Sequence, residues 1–191
     1  MSKLIISKLL VERVAQSLHN RNELYSSALL PPDANAAVLA VANKQAFSRF
    51  VRHQPGMLAF YLITTVKLSE EGQSVGLFLC EVIMDAFLLA GWQERRVDAL
   101  EFIEALNCNR AVARQIRPMQ SELSQQNFRA AQIFRQSELI SYLADEILLD
   151  GNNKVCPHKM LRDDYLGQLF LVLKSIIDVL DKDSDVNPNA N

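Results

Sequence analysis

The chain has 191 residues, of which 49% are hydrophobic, 22% charged and 7% aromatic, and it carries a net charge of −2 with only three cysteines. This composition is that of an ordinary globular protein and excludes collagen-like, disulfide-stapled and wholly disordered classes. A chain of this mass buries roughly 70% of the surface that it exposes when unfolded, which is enough for a core without metal or disulfide support.

The small net charge conceals an alternation along the chain. Net charges of +4, −5, +4 and −5 fall on residues 1–66, 67–106, 107–137 and 138–191. Such alternation lets segments attract one another during folding, and it also offers oppositely charged poles for self-association. Because three cysteines cannot all pair within one molecule and the opening residues are typical of a first helix rather than a cleaved leader, we expect a cytoplasmic protein.

Prolines, glycines and short polar runs divide the chain into segments of helical length, and none shows the repeated alternation of a strand. The fold class predicted from this is an all-α, single-domain bundle of about seven to eight helices over residues 1–182, followed by a polar tail over 183–191. In chain order the predicted helices are 1 to 30, Ala34 to Arg52, Met57 to Leu68, Val75 to Ala90, Gln93 to Leu106, 119 to 136, Ser137 to Leu149 and Met160 to Leu180, with a short Arg-rich turn of helix over 110 to 117.

The segment Val75 to Ala90 is the most apolar of these, and we expect it near the centre of the fold. Ser74 is its predicted N-cap, and Gly91 is predicted to end it. The apolar window that closes with Gly91 is 17 residues long and includes two carboxylates. A membrane-spanning helix needs about 20 residues with few or no charges, so we expect no membrane association.

Three pairs of carboxylates have a spacing that suits a divalent cation: Glu81 with Asp85, Glu101 with Glu104, and Glu146 with Asp150. Hard cations require several oxygen ligands, which two facing helices can supply. In the apolar helix of the first pair, a carboxylate lies at an exposed edge, pairs with a basic residue or binds a cation, because an unpaired buried charge is costly. We favour exposure or pairing. In the alternative, a Mg²⁺ site is formed by Glu81, Asp85, Glu101 and Glu104, and it resembles the carboxylate arrangement of helical nucleotide pyrophosphatases. Without that site, no cofactor is expected.

A basic segment over 110–135 supports a second alternative. Arg110, Arg114 and Arg117 project from one helix face, and Arg129 follows on the next predicted helix. Two helices separated by a proline break have the outline of a helix-turn-helix that binds nucleic acid. The turn has no glycine, and a chain with a pI near 5.9 lacks the broad basic surface that phosphate contacts require. Pairing of these arginines with the neighbouring acidic segments is therefore the favoured interpretation.

The segment Met160 to Leu180 has the strongest helical periodicity in the chain. Its apolar residues recur at steps of three and four, so one wide face has to be covered. Either the rest of the same chain covers it, or a second copy shares it. The second interpretation predicts a homodimer interface formed by Leu166, Leu169, Leu173, Ile176 and Leu180.

No phosphate-binding glycine loop, nucleophile elbow, zinc-protease motif or dinucleotide fingerprint occurs in the sequence. The absence of a recognisable catalytic set favours a non-enzymatic protein that acts through its helix surfaces. Its expected partner is a second copy of itself or another protein. Mg²⁺-dependent nucleotide hydrolysis and nucleic-acid binding are the alternatives.

Overall fold

The computed structural model describes residues 4–27, 44, 46–116, 136–148 and 163–184. Within these ranges the chain forms seven helices and no strand, so the prediction of an all-α fold is confirmed. The helices are α1 (Lys8–Ser27), α2 (46–53), α3 (Pro55–Thr65), α4 (Glu70–Leu89), α5 (Ala99–Ile116), α6 (Ser137–Leu148) and α7 (Asp163–Ser184).

Several helix boundaries agree with the sequence signals. Pro55 occupies the first turn of α3, where the missing N–H of proline would have had no helical partner. Ser137 begins α6 as predicted. α7 continues to Ser184, two residues beyond the expected end of the domain at residue 182. The predicted helix over 119–136 lies outside the described residues except for its last position, as does the tail beyond residue 184.

The predicted cap at the start of α4 was wrong. The helix begins at Glu70, and Ser69 is its N-cap, with the Ser69 hydroxyl accepting a hydrogen bond from the Gly72 N–H at 3.2 Å. The Ser69 backbone is extended, which is the conformation that an N-cap requires. Gly72 therefore lies inside the first turn of α4.

The predicted boundaries of α5 were also wrong. Residues 93–98 are not helical, and one continuous helix replaces the two segments expected on either side of Asn107 to Asn109. The start is set by a capping box, in which Asp98 Oδ1 accepts from the Leu100 N–H at 2.9 Å while Glu101 Oε1 accepts from the Asp98 N–H at 3.4 Å. The helix continues past Asn109 because its side chain bonds to α7 rather than to its own backbone.

Gly91 ends α4 as predicted. Its φ of +100° is a left-handed conformation that residues with a Cβ rarely adopt. The Gly91 N–H donates to the Leu88 carbonyl at 3.0 Å, and the Trp92 N–H donates to the Phe87 carbonyl at 2.9 Å. These two bonds form a Schellman motif, which turns the chain sharply and places Trp92 in the core at 5% exposure.

Helix α4 lies inside the fold, in contact with α1 and α7. Its window Gly72–Leu89 is 18 residues long with a mean hydropathy of 1.5, so by length and composition alone it could cross a membrane. The apolar window expected to begin at Val75 therefore starts three residues earlier, at Gly72. Two thirds of the window, 67%, is buried inside the protein, and this core position accounts for its apolar character.

Helix α7 packs against more of the described helices than any other element. It contacts α3, α4, α5 and α6, and its contact with α5 is the most extensive in the fold. Burying one large aliphatic side chain stabilises a fold by about 1.5 to 3 kcal/mol. The apolar α7 side chains that have no exposed surface are Leu169, Val172, Leu173, Ile176 and Leu180.

Candidate functional site

The first candidate is the pair of carboxylates on α4, Glu81 and Asp85. Asp85 forms an ion pair with Arg49 of α2 at 2.5 Å, with 16% of its own side chain exposed. Glu81 is buried at 7% exposure, one turn earlier in the same helix. For Asp85, the structure shows the pairing that the sequence analysis favoured over cation binding.

The α5 carboxylates are placed differently. Glu101 forms a two-pronged contact with Arg95, with N···O distances of 3.0 and 3.3 Å, and Glu104 is exposed. The hydrogen bond from Arg95 holds the pKa of Glu101 below its ordinary value. Partial burial of Glu101 acts in the opposite direction, and the positive charge of Arg95 lowers the pKa further. The carboxylate is therefore ionised and bound to a guanidinium at neutral pH.

The four acids do not form one site. They belong to α4 and α5, which are not among the described helix pairs that pack extensively. Within the described ranges, no group of three or more His, Cys, Asp or Glu side chains is arranged to hold a metal ion.

The second candidate, the basic segment, is only partly described. Arg110 is half-buried and Arg114 is exposed on the last turns of α5. Arg117 and Arg129 lie outside the described residues, as does most of the second helix of the predicted helix-turn-helix. The described part of the segment is a continuation of α5 and not a separate short helix.

The third candidate, the apolar face of α7, is occupied by its own chain. Leu169, Leu173, Ile176 and Leu180 have 0% exposure in a single copy, and Leu166 is partly buried against the same core. The rest of the same chain covers these residues, as in the first of the two interpretations of this face. A second copy therefore needs other residues to contact.

A polar cluster fixes α5 against α7 inside this packing. The Asn109 amide donates to Ser175 Oγ at 3.1 Å and to Asp178 Oδ2 at 2.8 Å. Lys174 Nζ donates to Asn109 Oδ1 at 2.9 Å and to Asp178 Oδ2 at 2.6 Å. Only 12% of the Lys174 side chain is exposed, and its ammonium group forms an ion pair with the Asp178 carboxylate. Buried groups satisfied in this way set the register of two helices.

A second buried amide ties the N-terminal segment to the end of α7. Gln136 accepts from the Ile6 N–H at 3.0 Å and donates to the Leu4 carbonyl at 2.9 Å and to Asp181 Oδ1 at 2.5 Å. Gln136 is 2% exposed and Asp181 is 5% exposed. The C-terminal half of α7 is therefore held by hydrogen bonds as well as by apolar packing.

The described cysteines are free thiols in different surroundings. Cys80 is buried and Cys108 is exposed. Burial, together with the nearby negative charge of Glu81, raises the pKa of the Cys80 thiol well above its ordinary value. Since the thiolate is the reactive form, Cys80 is an inert core residue.

The outer face of α3 is the feature that sequence analysis missed. Leu62, Ile63 and Val66 are 42%, 67% and 69% exposed, and Ala59 is exposed one turn before them. Their spacing of i, i+3, i+4 and i+7 places all four within an arc of roughly 100°. Val66 is the C-cap of α3 and keeps a helical backbone conformation. We call these four residues the α3 outer face.

The helix that carries this face is apolar all round. Its inner side buries Met57, Leu58, Phe60, Tyr61 and Thr65. The hydroxyls of Thr64 and Thr65 donate back to carbonyls of the preceding turn at 2.7 Å, which removes them as free polar groups. Ile63 and Val66 are the β-branched residues of this stretch that face outward, whereas Thr65 has no exposed surface.

Contacts on the inner side hold α3 firmly in place. The Phe60 and Phe102 rings stack with centroids 5.5 Å apart. The Tyr61 hydroxyl donates to the Gln73 carbonyl at 2.5 Å, and Gln168 of α7 donates to the Thr64 carbonyl at 2.5 Å. The α3 outer face is thus presented by a rigid element.

The other exposed large apolar side chains in the described residues occur singly or in twos. They are Ile5, Leu9, Phe47, Val51, Leu89, Leu100 and Val112, and no single described helix carries more than two of them. Single exposed apolar residues are normal on protein surfaces, whereas contiguous ones mark contact sites. By this criterion the α3 outer face is the candidate interaction site among the described residues.

Comparison with known proteins identifies no relative. No protein-family model, no curated protein and no solved structure matches the chain. The function is therefore argued from the chain's own residues.

Proposed function

We propose that this protein is a non-enzymatic helical protein that acts through protein–protein interaction, and that it forms a homodimer through the α3 outer face. The observation that carries the proposal is the exposure of Leu62, Ile63 and Val66 side by side on a fixed helix. Removing apolar surface from water is favourable by roughly 25 cal/mol per Å², so an open apolar stripe gains by being covered.

A second copy suits the chemistry around this face. Two copies related by a two-fold axis present the same patch to each other, so the patch must be complementary to itself. The α3 stripe is apolar, and it is followed by an exposed residue of each charge, Lys67 and Glu70. Apolar residues meet apolar residues in such a pair, and both signs of charge are available at its rim.

The size of the α3 outer face sets the expected affinity of the dimer. An 11-residue helix is only about 16 Å long. Stable complexes bury about 800 Å² on each partner, which three large side chains do not supply alone. We therefore expect a reversible dimer that forms at high micromolar concentration, and not a permanent one.

Sedimentation velocity from about 1 μM to about 1 mM tests the proposal. The expected result is a weight-average mass that rises from 21.5 kDa towards twice that value as concentration increases. A mass that stays at the monomer value throughout would show that the chain does not self-associate.

A matched pair of variants locates the surface. Ile63→Lys places a charge in the stripe, and Ile5→Lys makes the same change at a residue of similar exposure, 67% against 73%, on another part of the protein. We expect Ile63→Lys to weaken dimerisation at least tenfold and Ile5→Lys to leave it unchanged. Equal effects of the two variants would exclude α3 as the interface, even if the chain dimerises.

A further inference from the structure

We draw no further inference here: the strongest candidate, the polar cluster of Asn109, Lys174, Ser175 and Asp178 between α5 and α7, bonds its members to one another and so accounts for helix packing, with no second observation that points to a ligand.

Discussion

The apolar faces of α7 and α3 have opposite positions in the structure. The α7 face is long and strictly periodic, and its central residues have no exposed surface. The α3 face is short and belongs to a helix with apolar residues on every side, and its three large side chains are 42% to 69% exposed. The more conspicuous of the two faces is therefore the one that the chain covers itself.

The comparison shows why periodicity is a poor guide to an interface. A clear apolar stripe beside a polar one indicates which side of a helix turns inward, because the polar side must reach water. A helix that is apolar all round gives no such direction, and its neighbours decide how much of it is covered. α3 packs against α5 and α7 on one side, and in the described structure its other side stays open.

The largest expected difference between the two faces is in stability. Ile176→Ala removes part of a side chain with no exposed surface and is expected to lower the free energy of unfolding by about 2 to 5 kcal/mol. Ile63→Ala removes the same atoms from a residue that is 67% exposed and should change it by less than about 0.5 kcal/mol.

Urea denaturation measures the free energy of unfolding of both variants, and we expect their m-values to equal that of the parent protein. If Ile176→Ala does not fold, Ile176→Val supplies the same comparison, with an expected loss of about 0.5 to 1.5 kcal/mol. Equal losses at the two isoleucines would mean that the α3 outer face is covered within the monomer.

The second prediction concerns the polar end of the buried face. Gln136→Met keeps the side-chain length but leaves the Ile6 N–H and Asp181 without this partner. Leaving the Ile6 N–H unsatisfied in the core costs about 1 to 3 kcal/mol, so we expect a loss of about 2 kcal/mol in the free energy of unfolding. Hydrogen exchange at the Ile6 amide should also become faster.

Gln16→Met is the matched control for Gln136→Met. Gln16 lies on the exposed side of α1, where its amide bonds to Asn20. This variant should stay within about 0.5 kcal/mol of the parent protein. A similar loss at both glutamines would contradict the role assigned to Gln136.

A smaller effect on stability is expected from the partly buried ion pair between α2 and α4. Arg49 and Asp85 are joined at 2.5 Å with 30% and 16% of their side chains exposed. A double-mutant cycle with Arg49→Gln and Asp85→Asn should give a coupling energy of about 1 kcal/mol, between the values typical of exposed and buried pairs. A coupling of zero would show that the pair does not hold α2 against α4.

The identity of the elements could be predicted from sequence more reliably than their caps or their exposure. Gly91 was recognised because a left-handed helix end favours glycine. The capping box of Asp98 and Glu101 was missed because the acidic residues around it suggested a helix starting at Gln93. Continuity through Asn109 could not be predicted, because the partner that satisfies its amide lies on a helix 66 residues away in sequence.

The candidate site also depends on contacts between residues that are far apart in the sequence. The spacing of Glu81 and Asp85 suits a cation, but the Arg49 side chain that pairs with Asp85 comes from another helix. The residues of the α3 outer face could be seen in the sequence at the correct spacing. Nothing local distinguishes Ile63, which faces outward, from Leu58, which faces the core.

The smallest expected effect is the titration of an exposed ion pair. Arg95 lowers the pKa of Glu101, so Arg95→Gln should raise that pKa towards the ordinary glutamate value of about 4.3. A carboxyl whose pKa is lower in the folded state adds stability above the unfolded-state pKa, and this is lost as the pH falls through the folded-state pKa.

The stability difference between the parent and Arg95→Gln should therefore be present at neutral pH and disappear in acid. Carbon-detected NMR titration of the Glu101 carboxyl measures the pKa directly. An unchanged pKa in the variant would show that Arg95 does not pair with Glu101 in solution.

The central claim is that the open apolar face of α3, and not the buried face of α7, is where two copies meet. Methyl NMR spectra recorded across the concentration range of the self-association test this most directly. The account predicts concentration-dependent shifts at Leu62, Ile63 and Val66, with Ile5 and Ile176 unmoved. Shifts confined to other residues, or none at any concentration, would contradict it.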